Sequence, residues 1–116
     1  MKRETIPLES ITPSLIAEIR DKIIENINPD QIILFGSATR SDVKAPNDID
    51  IYVIKEGLQD GREVERRIEE LFTGRLFALD VIVRTPEQVE TSLKGGYSFL
   101  SQQILAKGRV LYDKQK

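Results

Sequence analysis

Asp48 and Asp50 stand two residues apart in "NDIDIYVI" (47–54), and ten residues separate them from an upstream Gly36-Ser37 pair. On a strand, residues two apart point to the same face. The two carboxylates then sit side by side, with backbones roughly 7 Å apart. Adjacent carboxylates repel unless a cation neutralises them. Asp80 is the single charge in "LFALDVIV" (76–83). If its strand lies beside the first, three carboxylates share one face. Oxygen-only donors suit Mg2+, or Mn2+. Three of them can hold two ions roughly 4 Å apart, the arrangement used for in-line phosphoryl transfer. Gly36 permits backbone angles and close approach that other residues resist, and Ser37 adds a hydroxyl donor. If "SATRSDV" turns helical there, its first N–H groups point at a phosphate, with Arg40 and Lys44 as nearby cations. Each part is ordinary alone: an Asp-x-Asp is usually a solvated edge or turn, a Gly-Ser only a turn, and Asp80 could face water. Their occurrence in one order carries the reading.

Composition limits the chemistry further. The 116 residues contain no cysteine and no histidine. Disulfides, thiolate zinc sites, cysteine nucleophiles and imidazole catalysis are therefore excluded. What remains is carboxylates, Lys, Arg, Tyr, Ser, backbone dipoles or a hard metal ion. Hydrophobic residues make up 40% and charged ones 31%, as in a globular protein. The length fits one domain, 1–116. A net charge of -2 and a pI near 5.2 oppose broad binding to nucleic acid. The start, "MKRETIPLESITPSL", lacks an apolar signal core, and no apolar run nears the roughly 18 residues of a membrane span. A cytoplasmic protein is expected.

The elements that must position these residues alternate in type. Thr12 and Pro13 open a helix over 13–27, with Leu15, Ile16, Ile19, Ile23 and Ile27 on one stripe and Asn28-Pro29 as the stop. "QIILF" (31–35) is a strand buried on both faces and ending at Gly36. Strands follow at 47–54 and 76–83, with a helix over 62–72 between them. Helices over 85–93 and 97–107 lead to a fourth strand at 109–113. This order predicts an α/β (α+β) fold: a small mixed sheet of about four strands packed with helices. "REVERRIEE" (62–70) alternates charge at helical spacing and reads as a solvated face. Arg75 and Arg84 read as edge charges that keep the third strand soluble.

"GSATRSDVKAPNDID" (36–50) resembles the Gly-Ser-(ten residues)-Asp-x-Asp signature of the polymerase-beta-like nucleotidyltransferase superfamily. The likeness covers nearly the whole chain, whose size is similar to that of minimal prokaryotic nucleotidyltransferases. Many of these are antitoxins paired with HEPN-domain ribonuclease toxins. The resemblance implies that Gly36 and Ser37 contact nucleotide phosphates and that Asp48, Asp50 and Asp80 bind two Mg2+ ions. Arg40 matches an arginine of the minimal members. Thr39 and Ser41 replace an alanine and a glycine there, and Asn47 stands where serine is frequent. These departures touch the loop and not the metal ligands. The implied reaction moves AMP from ATP to a hydroxyl of a partner protein, a tyrosine of a cognate HEPN toxin, in a hetero-oligomer. "GGYSFLSQQIL" (95–105), with Tyr97, Phe99 and Leu100, offers a partner face or else a helix buried on two sides. The alternatives are an antitoxin that neutralises its partner by contact alone, and a small-molecule nucleotidyltransferase.

Overall fold

The computed structural model describes residues 12–39, 48–75, 77–96 and 99–116. Helix α1 is Pro13–Ile27, and the Thr12 side chain accepts from the Leu15 N–H at 3.1 Å as its N-cap. Ile16, Ile19, Ile23 and Ile27 form its buried stripe. Asn28 ends it in the left-handed region, φ 55°, which asparagine tolerates better than most residues. Strand β1, Gln31–Phe35, runs into a single 3-10 turn, Gly36–Thr39. Then come β2 (Asp48–Ile54), α2 (Gly61–Leu71), β3 (Ala78–Arg84) and α3 (Pro86–Lys94). A π-type helical segment, Leu100–Leu105, precedes β4, Arg109–Asp113.

The four strands form one mixed sheet in the order β3-β2-β1-β4. β1 pairs antiparallel with β2 and β4, and β2 pairs parallel with β3 through the α2 crossover. The α/β reading with a small mixed sheet therefore holds. Expected boundaries of the strands, α2 and α3 move by at most two residues, and the start of the last expected helix, at Tyr97, lies outside the described residues. The third strand begins at Ala78 and runs to Arg84, because its pairing with β2 starts at Asp48–Ala78 and ends at Ile54–Arg84. Within the stretch expected as a final helix, the wider turn at Leu100–Leu105 drops both Leu100 and Ile104 into the sheet.

The described residues cover the two sheet faces unequally. One carries the larger core: the α1 stripe with Val64, Ile68 and Phe72, over Ile32, Leu34, Ile49, Ile51, Val53 and the inward residues of β3. The other carries a smaller cluster of Ile33, Phe35, Tyr52 and Ile54 under Leu100 and Ile104. β1 is thus buried on both faces, as its unbroken apolar run implied. The smaller cluster belongs to the face that holds the aspartates. It covers the β2 residues after Asp50 and stops short of the carboxylates.

Candidate active site

The pleat and the register assemble the acidic residues. Asp48 and Asp50 project from alternate positions of β2, while Ile49 between them is fully buried on the other face. Asp50 pairs directly with Asp80 of β3. Adjacent strands stand about 4.8 Å apart, so Asp80 joins the pair on the same face. Asp48 and Asp80 are exposed and Asp50 is half-buried.

Gly36 is required by two separate facts. Its φ is +78°, a region costly for any residue with a Cβ. Its open side is also occupied: a Cβ there would collide with the Asp50 carboxylate. Asp50 therefore lies against the backbone of the turn that follows β1, and Phe35, the last residue of β1, is its cross-strand partner. The Thr39 hydroxyl donates to the Gly36 carbonyl at 2.7 Å and closes the turn. This turn is four residues long and 3-10. Its N–H groups can meet a phosphate, but it is too short to add the macrodipole of a longer helix. Ser37 lies within it; Arg40, Lys44, Ser41 and Asn47 fall outside the described residues.

The electrostatics follow from this crowding. Asp50 is raised from its ordinary 3.8 to about 6, first by burial, then by the charge of Asp80, a hydrogen bond with the Asp80 side chain, and the charge of Asp48. Asp50 and Asp80 thus meet directly, while Asp48 acts through its charge. Among the described residues no three His, Cys, Asp or Glu side chains form a group placed to hold a metal ion. The donor set still fits a hard divalent cation. It is oxygen-only, and a carboxyl held up in pKa by burial and by like charges is one that a cation would return to its ionised form.

Two site-face residues carry no mark in the sequence reading. Tyr52 continues the Asp48–Asp50 alternation, and burial pushes its phenol up while the Arg84 charge pulls it down. Counting two more residues along β2 would have found it. Phe35 is beside Asp50 only because β1 and β2 are antiparallel with that register, which no local pattern encodes. Arg75 and Arg84 take structural posts. The Arg75 guanidinium reaches the Glu69 and Phe72 carbonyls at the end of α2, each at 3.4 Å. Arg84 donates to the Val83 carbonyl at 2.8 Å and pairs with Glu65 at 3.5 Å.

The family model for polymerase beta nucleotidyltransferases matches residues 17–116. No curated protein matches the chain by sequence. Solved structures similar in fold include the following three. A nucleotidyltransferase from Sulfolobus solfataricus superposes with a TM-score of 0.63 at 16% identity, covering 94% of this chain and 86% of that one. A mutant MntA–HpeT toxin–antitoxin complex gives 0.56 at 23% identity over 84% of this chain and 71% of that one. The complex of tri-AMPylated Shewanella oneidensis HEPN toxin with MNT antitoxin gives 0.50 at 22% identity, over 84% and 72%.

Proposed function

We propose, starting from a chain that belongs to the polymerase beta nucleotidyltransferase family, that this protein transfers AMP from ATP to a hydroxyl of a partner protein, a tyrosine of a HEPN-domain toxin. The observation that carries the reading is the direct pairing of Asp50 with Asp80, with Asp48 on the same face and Asp50 against Gly36. The likeness to solved antitoxin–HEPN complexes supports the choice of partner.

Asp48, Asp50 and Asp80 would hold Mg2+, which when bound neutralises the triphosphate and favours a deprotonated acceptor. The turn at Gly36-Ser37 would seat phosphate oxygens on backbone N–H groups. The acceptor oxygen bonds to the α-phosphorus as the α–β bridging P–O bond breaks. Pyrophosphate leaves, and the acceptor's proton passes to Asp80. On the toxin, the new anion would sit near its active groups and silence it by repulsion and bulk.

Intact mass of a co-expressed HEPN partner, in ATP and Mg2+, tests this. Gains of one or more adenylyl units are expected, and none with Asp48→Asn. A second reading draws on the exposed Leu93, Phe99, Leu105 and Val110: an antitoxin that neutralises by contact alone. A tight complex with unchanged mass would replace the first reading by this one.

A further inference from the structure

Phe99 is 51% exposed, and its ring has an aromatic partner. It packs edge-to-face on Phe35, with centroids 5.7 Å apart and planes at 81°. Lone exposed apolar side chains are ordinary, so the argument is one of position. Phe35 precedes Gly36 in the chain and is the cross-strand partner of Asp50. Cross-strand partners stand about 5 Å apart at Cβ. That one step, with the 5.7 Å from the Phe35 ring to the Phe99 ring, puts Phe99 on the order of 10 Å from Asp50. Among the described residues, the other exposed large apolar side chains, Leu93, Leu105 and Val110, are aliphatic. Val110 pairs with Ile33, one row farther from the aspartates.

We propose that the exposed ring of Phe99 is the stacking wall for the base of the nucleoside triphosphate. The inference rests on the nucleotidyltransferase reading and adds to it the seat of the base. A triphosphate anchored at Gly36 and the carboxylates leaves its base over the part of this sheet face that the described residues do not cover. Phe99 is the described aromatic that offers free ring surface beside that opening, with its ring against Phe35. Stacking accepts any base. The site therefore selects for an aromatic base rather than for one hydrogen-bonding pattern.

Titration calorimetry of the full chain with Mg2+ tests this, using α,β-methylene-ATP and inorganic tripolyphosphate as separate probes. Phe99→Ala and Phe99→Leu should each weaken the ATP analogue about tenfold, and Phe99→Trp should retain it. Tripolyphosphate affinity should be unchanged throughout. The leucine variant keeps apolar packing on Phe35, and its melting temperature shows whether the fold is intact. Wild-type affinity for the analogue in a folded Phe99→Leu overturns the proposal, as does an equal loss for both probes. If the wild type binds neither probe, the nucleotidyltransferase reading fails and this inference goes with it.

Discussion

Asp50 meets three influences that oppose its charge: burial, the facing Asp80 and the neighbouring Asp48. Because folding raises its pKa to about 6, the native state keeps a proton that the unfolded chain releases. The native protein thus binds more protons between pH 3.8 and about 6, so stability falls as pH rises through that window and is flat above it. A rise of this size would cost about 3 kcal/mol in a dry site. The carboxyl is only half-buried, so solvent screening reduces this to about 1 kcal/mol. Asp50→Asn should gain about that much at pH 8, with the gap to wild type closing by pH 4, as read by urea denaturation. Gly36→Ala meets the Asp50 carboxylate and a forbidden φ together. It should cost about 1–3 kcal/mol and displace the carboxylate. A crystal structure with Asp50 unmoved would contradict that account. Asp80→Asn should abolish transfer while leaving the circular dichroism spectrum unchanged. Of this site the sequence showed the carboxylates, since alternation and an isolated Asp are local signals. The Gly36–Asp50 contact was hidden, because it exists only once β1 and β2 pair.

At the scale of elements, end signals were the most legible part. Thr12 caps α1, and Thr85 forms a full capping box with Gln88 at α3, both from side chains that satisfy free helix N–H groups close in sequence. The edge of β3 was not legible. Glu65, on a helix whose charges read as a solvated face, accepts the Val83 N–H at 2.9 Å. Gly61 lies so close to β3 that a Cβ would stand 3.0 Å from the Val83 carbonyl. Helix α2 thus blocks part of the free edge of the strand that carries Asp80. Glu65→Ala should leave that N–H without its partner and cost about 1–2 kcal/mol. Glu65→Gln keeps an acceptor and should cost less than half of that. Equal melting temperatures for Glu65→Ala and wild type would show that the bond contributes nothing.

At the scale of the whole molecule, the decisive fact is the inequality of the two sheet faces. Sequence order revealed alternating elements, but not that β4 would pair with the free side of β1, nor that the segment before it would cross the aspartate face. Both are long-range outcomes of where apolar surface remains uncovered. The larger core joins α1, α2 and three strands, whereas the smaller one is covered by Leu100 and Ile104 of one short segment, with the partly buried Val89 of α3 beside them. Opening the second therefore exposes far less apolar area than opening the first, and should occur without global unfolding. Amide exchange should be faster across 100–105 than across β1 and β2. Ile104→Ala, which removes a fully buried side chain, should cost about 2–4 kcal/mol and accelerate exchange in that segment first. Ile23→Ala, on the larger core, should instead lower protection across the entire sheet. The segment that opens most easily also carries Phe99, so α,β-methylene-ATP with Mg2+ should slow exchange there more than in α1. Uniform protection in the free and bound protein would mean that the two cores act as one cooperative unit.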